Sequence, residues 1–196
     1  MMVSDIVGQI HVLLGLPGSG KGTQAGRICA DIDIAHLSSG VLFRGFGAHI
    51  DSANQNNSIR RYIDRGELVP DDLACNVVMH EIESIHRKGK GVILDGFPRT
   101  LNQAEFLDKS LAERGGNITS VINLYVSEEI SLERILSRGR HDDLPEIARR
   151  RLDLHQQLSA PVLDYYRSEG RLLVVNGDRD EDEVQADLLR AIGSQI

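Results

Sequence analysis

Residues 15–23 have the sequence Gly15-Leu16-Pro17-Gly18-Ser19-Gly20-Lys21-Gly22-Thr23 and lie between an apolar segment and a helical pattern. Glycines at these spacings allow successive backbone N–H groups to point inward at phosphate oxygens. A helix that begins near Gly22 adds partial positive charge, and Lys21 can reach β- and γ-phosphates. In a chain of this composition the spacing would arise by chance about 0.04 times. The stretch therefore predicts a phosphate-binding loop between a strand and a helix.

Short apolar segments alternate with longer helical patterns along the whole chain. These segments are rich in Val, Ile and Leu without polar alternation, which is typical of strands buried on both faces. We predict strands at His11–Gly15, Ile34–Leu37, Val92–Asp95, Val121–Val126 and Leu172–Val175. Because strands and helices alternate throughout, the pattern predicts an α/β fold, a parallel sheet with helices on both faces.

Several helices have recognisable beginnings. Asp71 is expected to cap a helix that runs toward Lys88. Thr100 and Gln103 have the spacing of a capping box, and Ser127 precedes another helix. Further helices are expected over about 143–168 and 181–192, and the polar residues 53–57 are expected to form a surface loop or a helix break.

Composition excludes several classes of protein. The 196 residues fit one domain, and the net charge of −7 disfavours binding of nucleic acid or anionic membrane through bulk charge. Cys29 and Cys75 are too few and too far apart for a structural zinc site, and two lone thiols fit a reducing compartment. No apolar run is long enough to span a bilayer, and the first nine residues lack the features of a signal peptide. We therefore expect a soluble cytoplasmic protein without zinc.

Arginine is concentrated in one segment. The chain has 18 Arg and only 4 Lys, and six of the arginines are Arg134, Arg138, Arg140, Arg149, Arg150 and Arg151. Arginine suits bidentate recognition of phosphate. Glu146 has helical spacing to Arg149 and Arg150, which predicts surface ion pairs for those two. Arg151 lies about 100° further round the helix and is expected on a different face.

Two later segments place polar groups at the same predicted edge of the sheet. Ser38-Ser39-Gly40 precedes a helix that contains Arg44, although Arg44 alone equally fits a solvated surface charge. Asp95 ends a buried strand at the carboxyl edge, where α/β sheets bind ligands and where a carboxylate can hold Mg²⁺ through its water shell. Arg99 follows at the beginning of a helix, a position that favours an anion. Together these residues predict a second anion site.

The motifs resemble those of one enzyme family. Gly20-Lys21-Gly22-Thr23-Gln24, with glycine in place of the usual hydroxyl residue after the lysine, is similar to the nucleoside monophosphate kinases and to adenylate kinase in particular. Residues 95–100, Asp-Gly-Phe-Pro-Arg-Thr, match the adenylate kinase signature at every position. The resemblance covers about residues 10–192. It implies a single kinase domain over 1–196, with a phosphate-binding loop and a five-stranded parallel sheet.

The resemblance also implies two mobile segments and the reaction ATP + AMP = 2 ADP with Mg²⁺. The AMP-binding segment would cover about residues 38–69, and a very short lid would cover about 137–143. The partners would be the small nucleotides ATP, AMP and ADP, with no nucleic acid and no membrane, and short members of the family are commonly monomers. At neutral pH the AMP phosphate is already mostly a dianion, so no catalytic base is expected.

Site residues follow from the resemblance by position. ATP would be bound by Gly15, Leu16, Pro17, Gly18, Ser19, Gly20, Lys21, Gly22, Thr23, Arg138 and Gly177. AMP would be bound by Ser39, Arg44, Glu67, Leu68, Val69, Gly96, Phe97, Pro98, Arg99, Gln103, Arg140 and Arg151, with the Gly96 carbonyl and Gln103 at the adenine. The catalytic cations would be Lys21, Arg99, Arg138, Arg140 and Arg151. Asp95 would hold Mg²⁺ through water.

One position departs from the family, and other functions remain open. Val41 stands where the family normally has an acid near the hydrated Mg²⁺. The alternatives are a UMP/CMP-type kinase, a P-loop hydrolase and a catalytically weak nucleotide-binding regulator. Ser39 and Gln103 favour AMP over UMP or CMP, because the pyrimidine enzymes generally carry a smaller apolar residue and Asn at those positions.

Overall fold

The protein is described by a computed structural model that covers residues 8–46, 55–140 and 143–193. In these ranges five parallel strands form one sheet, in the order β2-β3-β1-β4-β5. The strands are β1 (Ile10–Leu14), β2 (Ile34–Ser38), β3 (Gly91–Asp95), β4 (Ser120–Tyr125) and β5 (Leu172–Asn176). The predicted fold class is confirmed, and each predicted strand is found with its ends shifted by at most one residue.

Helices connect the strands. In chain order they are α1 (Lys21–Asp31), α2 (Ser39–Phe46), α3 (Gln55–Asp64), α4 (Asp71–His86), α5 (Leu101–Ala112), α6 (Glu128–Arg138), α7 (Pro145–Ser168) and α8 (Glu181–Gly193). Residues 55–57, expected in a loop or break, are helical, whereas residues 53 and 54 of that segment lie outside the described residues. The expected cap at Asp71 is wrong, because Pro70 occupies the N-cap position and Asp71 is the first helical residue.

Parallel pairing brings the functional motifs to one edge. β1 lies in the middle of the sheet, with Leu13 paired to Asp95 of β3 and Leu14 paired to Asn123 of β4. Ser38, the last residue of β2, also pairs with Asp95. The carboxyl ends of these strands therefore meet, and the loops that follow them share a crevice at this edge.

Apolar side chains fill both faces of the sheet. Successive strand residues point to opposite faces, so Val12 and Leu13 belong to different clusters. Val12 packs in the cluster that contains Ile82 of α4, Leu107 of α5 and Tyr166 of α7. Leu13 packs in the cluster formed with α1 and α8. Within the described ranges, every helix is too short or too polar to cross a membrane.

Candidate active site

A cavity of about 740 Å³ opens at the carboxyl edge of the sheet. Its wall comes from the loop after β1, the ends of β2 and β3, the beginnings of α2 and α5, and one side of α6 and α7. This position is the one expected for a ligand site in a parallel sheet, and the volume falls in the range of small-molecule sites.

The phosphate-binding loop has backbone geometry that requires glycine at two close approaches. At Gly15, with φ of 141°, a Cβ atom would lie 2.4 Å from the carbonyl oxygen of Leu124. At Gly18, with φ of 86°, a Cβ atom would lie 2.4 Å from the carbonyl oxygen of Ser131. Side chains at these positions would push the loop away from β4 and α6. The glycine spacing in the sequence thus reflects both backbone conformation and packing.

Lys21 lies inside this loop. Its Nζ donates hydrogen bonds to the carbonyl oxygens of Gly15 and Leu16, at 2.7 Å each. Burial lowers the pKa of Lys21 to about 8, and the positive charges of Arg99 and Arg138 act in the same direction, whereas Asp95 opposes them. An anion in the cavity would relieve this repulsion, so the surroundings of Lys21 favour binding of a negatively charged ligand.

Arg99 lies in the same electrostatic surroundings. Burial lowers its pKa, and so do the charges of Arg151 and Arg44, while Asp95 raises it. Its Nε donates to the Gly96 carbonyl at 2.7 Å. The cations predicted at separate anion sites therefore face one another across a single cavity.

Asp95 is the candidate magnesium-binding residue. It is 9% exposed and lies 3.3 Å (Oδ2) from Nε2 of His36. Burial alone would raise the pKa of Asp95, but the contact with His36 and the charge of Lys21 hold that pKa below its usual value. Gly22 keeps the space beside the carboxylate open, since a Cβ atom there would lie 3.4 Å from Oδ2. An ionised carboxylate with room beside it fits a hydrated Mg²⁺.

The described residues contain no cluster of three or more potential metal ligands. A single carboxylate is nevertheless sufficient for Mg²⁺, which keeps several waters and is commonly completed by substrate phosphates.

The predicted adenine-binding residues already have protein partners. The Gly96 carbonyl accepts a hydrogen bond from Ser39 Oγ at 2.7 Å in addition to the one from Arg99. Its two lone pairs are therefore both engaged, and adenine would have to displace one donor to reach it. Ser39 is buried and contributes through Gly96, whereas its neighbours Ser38 and Gly40 line the cavity.

Thr100 and Gln103 form one half of the predicted capping box. Thr100 is the N-cap of α5, and its Oγ1 accepts from the Gln103 backbone N–H at 3.2 Å. The side chain of Gln103 accepts instead from the backbone N–H of Arg99, at 2.7 Å, one residue before the cap. Gln103 is 2% exposed and lines the cavity, so its side chain is held in place at the site.

Asp143 organises the arginines of the predicted lid. The carboxylate accepts two hydrogen bonds from Arg138, at 2.9 and 2.7 Å, and one from the backbone N–H of Arg140. Its Oδ1 also lies 3.4 Å from Nη1 of Arg151. Burial alone would raise the pKa of Asp143, but these partners lower it. Asp143 therefore orients the arginines of the predicted lid, while its neighbour Asp142 lies outside the described residues.

The expected pairing of Arg150 with Glu146 is corrected. Arg150 Nη2 lies 2.8 Å from Oε1 of Glu67, the residue predicted at the AMP site, 83 positions earlier. Helical spacing predicts only pairs within one helix, and this pair instead joins α7 to the segment before α4. Arg149 and Arg150 are exposed, whereas Arg151 lines the cavity, as the different helix face predicts.

Nearly all residues predicted to bind nucleotide contribute to the cavity wall. Among the predicted residues outside this wall are Leu16, which binds Lys21 through its carbonyl, and Ser39. The wall includes Gly15, Pro17, Gly18, Ser19, Gly20, Lys21, Gly22, Thr23, Arg44, Glu67, Leu68, Val69, Asp95, Gly96, Phe97, Pro98, Arg99, Gln103, Arg138, Arg140, Arg151 and Gly177. Their roles toward nucleotide stay predictions.

Several further residues of the wall have no role in the sequence-based site prediction, among them Arg134, His36 and His155. Arg134 lies beside the phosphate-binding loop, 3.4 Å (Nη1) from the Ser19 carbonyl, and also contacts the Gly177 carbonyl. His36 precedes the Ser38-Ser39-Gly40 turn and contacts Asp95. His155 lies one helical turn after Arg151 on α7; burial first, and then Lys21 and Arg99, lower its pKa to about 3, so the ring is neutral. Of these three residues, only His155 had a signal in the sequence. It lies four positions after Arg151, and residues four apart share a helix face.

Comparison with known proteins identifies the family. The family model described as adenylate kinase matches residues 13–171. Similar proteins include adenylate kinase 1 of Nostoc sp. (strain PCC 7120), which is 40% identical over 183 residues, covering 93% of this chain and 98% of the relative. The adenylate kinase of Corynebacterium urealyticum is 39% identical, with 92% of this chain and 97% of the relative covered. The adenylate kinase of Limosilactobacillus reuteri is 36% identical, again with 92% and 97% covered. The phosphate-binding loop, the cationic cavity and these similarities agree, and the chain belongs to the adenylate kinase family.

Proposed function

We propose that the protein transfers a phosphoryl group between ATP and AMP in this cavity, in the reversible reaction ATP + AMP = 2 ADP that its family membership assigns to it. The observation that best supports this location is the mutual repulsion of the cations. Lys21 and Arg99 come from different loops, yet the pKa of each is lowered by nearby arginines. Arg99 and Arg138 lower the pKa of Lys21, and Arg151 and Arg44 lower the pKa of Arg99. ATP and AMP together bring about six negative charges, which would balance such a cluster.

The chain's own residues bind, orient and neutralise the reacting groups. The phosphate-binding loop and Lys21 would hold the β- and γ-phosphates of ATP, and Arg99 with Arg151 would hold the phosphate of AMP. An AMP oxygen then attacks the γ-phosphorus in line, the bond from that phosphorus to the bridging oxygen breaks, and ADP leaves with the electron pair. Because the nucleophile is already ionised at neutral pH, positioning and charge neutralisation supply the catalysis.

Mg²⁺ is the cofactor that the residues at β3 fit. We propose that Asp95 holds the ion through water, beside the open space left by Gly22. When bound with ATP, the ion would neutralise charge on the phosphates that the reaction moves.

Closure of two segments would exclude water, which competes with AMP as acceptor. We propose that these segments are the AMP-binding segment, about residues 38–69, and the lid, about residues 137–143. Support comes from Arg44 on α2 and Arg138 at the end of α6, which line the cavity from these segments. Asp143 would hold Arg138 ready in the absence of nucleotide.

A panel of acceptors tests the function directly. With ATP and Mg²⁺, we expect AMP to be phosphorylated far more efficiently than UMP or CMP, and to yield two ADP per turnover. Preference for UMP or CMP would favour the pyrimidine enzyme, and phosphate release without an acceptor would favour a hydrolase. Binding of ATP and AMP without ADP formation would favour a regulator.

The variant Lys21→Met should abolish phosphoryl transfer. Activity within tenfold of the parent would contradict the assignment of the phosphate-binding loop.

The remaining expectations concern the state of the protein in the cell. We propose a cytoplasmic monomer that binds ATP, AMP and ADP and neither nucleic acid nor membrane. The negative net charge disfavours polyanion binding, and the two cysteines, Cys29 and Cys75, are unpaired as a reducing compartment requires.

A further inference from the structure

The side-chain amide of Gln103 is held at both of its polar atoms. Oε1 accepts from the backbone N–H of Arg99 at 2.7 Å, and Nε2 donates to Oδ1 of Asp71 at 2.7 Å. Each atom retains one further hydrogen-bonding position, because a primary amide has two N–H donors and its oxygen has two lone pairs. Gln103 lines the cavity, so these free positions are available to a ligand.

The two partners allow only one orientation of this amide. A backbone N–H can only donate, and an ionised carboxylate can only accept. If the amide turned by 180°, its nitrogen would meet the Arg99 N–H and its oxygen would meet the Asp71 carboxylate. Two hydrogen bonds would become two repulsive contacts in a position that is 2% exposed. The order of donor and acceptor at Gln103 is therefore fixed by the protein before a ligand arrives.

Asp71 is itself held in position. Thr100 Oγ1 donates to its Oδ2 at 2.9 Å, and Thr100 Oγ1 in turn accepts from the backbone N–H of Gln103. Because Asp71 is the first residue of α4, the carboxylate links the beginning of α4 to the beginning of α5. Both carboxylate oxygens thus have a defined donor.

We propose that Asp71 is a positioning residue that makes the acceptor site selective for adenine over 6-oxopurines, by fixing the orientation of the Gln103 amide. The inference rests on the proposed function, in which Gln103 binds the base of AMP. Adenine presents an amino donor at C6 next to an acceptor at N1, whereas hypoxanthine presents an acceptor at C6 next to a donor at N1. The fixed amide offers an oxygen for the amino group and an N–H for N1. A 6-oxopurine in the same place needs the reversed amide, which Asp71 opposes.

The test compares AMP with inosine monophosphate, which differs from AMP only at C6 and N1. For each protein, kcat/KM is measured for both acceptors with saturating ATP and Mg²⁺ on one preparation. The ratio of the two values is independent of the fraction of folded enzyme, so a destabilised variant still gives a valid result. Asp71→Asn is the informative change, because the new amide can donate or accept and so removes one of the two contacts that oppose the reversed orientation of Gln103, while the Arg99 N–H remains. Asp72→Asn is the matched control, since Asp72 is exposed in the same first turn of α4.

We expect Asp71→Asn to lower the ratio of AMP to inosine monophosphate at least tenfold. Most of the change should come from a higher KM for AMP, with kcat changed by less than about twofold, because Asp71 is not part of the cavity wall and acts only through Gln103. Asp72→Asn should leave the ratio unchanged. An unchanged ratio in Asp71→Asn, or equal ratios in both variants, would overturn the proposal and leave Asp71 as a residue that stabilises α4.

A third variant separates this proposal from the assignment of the acceptor site. Gln103→Ala removes the amide itself and should lower the ratio at least as far as Asp71→Asn. If Gln103→Ala lowers the ratio and Asp71→Asn does not, Gln103 binds the base but Asp71 does not orient it. If neither changes the ratio, the base is bound elsewhere and the proposed acceptor site is wrong at this position.

Discussion

The charge of Lys21 should make ATP binding by the phosphate-binding loop depend on pH. Its pKa of about 8 in the free protein means that its positive charge is lost as the pH rises through this value. We expect kcat/KM for ATP to fall above about pH 8, whereas bound phosphates raise the pKa of Lys21 and should keep kcat constant to higher pH. In Lys21→Arg the rate should be lower, but the alkaline fall should disappear because a guanidinium stays charged.

The control for this pH profile is Lys109→Arg, which changes an exposed lysine near the end of α5. It should leave both the rate and the profile unchanged. The same alkaline fall in Lys21→Arg as in the parent protein would show that another group is responsible for it.

Val41 leads to a prediction about magnesium. It is 61% exposed on α2 and lines the cavity, at the position where the family resemblance implies an acid. An apolar side chain offers no oxygen to the water shell of Mg²⁺, and losses of such indirect support typically cost about 10–100-fold in metal affinity or activity. Val41→Asp should therefore lower the Mg²⁺ concentration for half-maximal rate, with little change in AMP affinity.

The measurement is a titration of Mg²⁺ at saturating ATP and AMP in the parent and in Val41→Asp. Because Val41 is so exposed, its replacement should leave thermal stability nearly unchanged, and a melting curve checks this. Superimposable titrations would mean that position 41 has no part in metal binding.

Single residues also show what the sequence reveals about the site. Asp95 and Arg99 could be predicted because a buried strand that ends in a carboxylate indicates the functional edge of the sheet. His36 and Arg134 could not, because their importance depends on which loop or strand end faces them. Nor could the sequence predict that Ser39 and Arg99 already engage the Gly96 carbonyl, since this requires the beginning of α2 to meet the loop after β3.

At the scale of one element, α7 separates arginines of different function. Arg149 is exposed, whereas the Arg151 side chain is 16% exposed, lines the cavity and pairs with Asp143. Arg151→Ala should reduce kcat/KM for AMP by about 10²–10³, because a buried bidentate partner of phosphate is lost. Arg149→Ala is the matched variant and should stay within about twofold of the parent. Equal losses in the two variants would contradict the assignment of helix faces.

Helix periodicity predicted these faces correctly but failed for contacts between elements. The 100° step between neighbouring residues is local geometry, so the separation of Arg150 from Arg151 follows from the sequence. The partner of Arg150 does not, because Glu67 approaches only when α7 packs against the chain before α4. For the same reason the sequence placed Asp71 as a helix cap, whereas its carboxylate binds Thr100 and Gln103 of another helix.

At the scale of the whole molecule, the alternation of apolar segments and helical patterns was sufficient to predict the sheet. Strands that are buried on both faces have continuous apolar sequences, and helices between them require parallel connections. The strand order β2-β3-β1-β4-β5 could not be predicted from the sequence pattern, because it depends on how the strands assemble in the folded chain. Buried polar residues in the strands are the exceptions to the apolar pattern, and His11 is one of them.

His11 makes the central strand sensitive to acid. It is 1% exposed in β1, where Nδ1 lies 2.8 Å from Oγ of Ser120, its neighbour in β4. Burial lowers the pKa of His11 from 6.5 to about 4. Between these two values the unfolded chain binds a proton that the folded protein does not, so the free energy of unfolding decreases as the pH falls. This single group should account for a loss on the order of 3 kcal/mol between pH 6.5 and 4.

Replacement of His11 by asparagine tests this contribution through urea unfolding at several pH values from 7 to 4. The variant should be less stable than the parent at pH 7, because the amide fills the position less well, but it should lose less stability on acidification. The carboxylates Asp95 and Asp143, whose pKa values are lowered in the folded protein, should still give the variant some loss in acid. His80→Asn, which changes an exposed ring on α4, should show the pH dependence of the parent. Parallel curves of stability against pH for the parent and the His11 variant would show that His11 titrates alike in the folded and unfolded protein, and that its burial does not contribute to acid sensitivity.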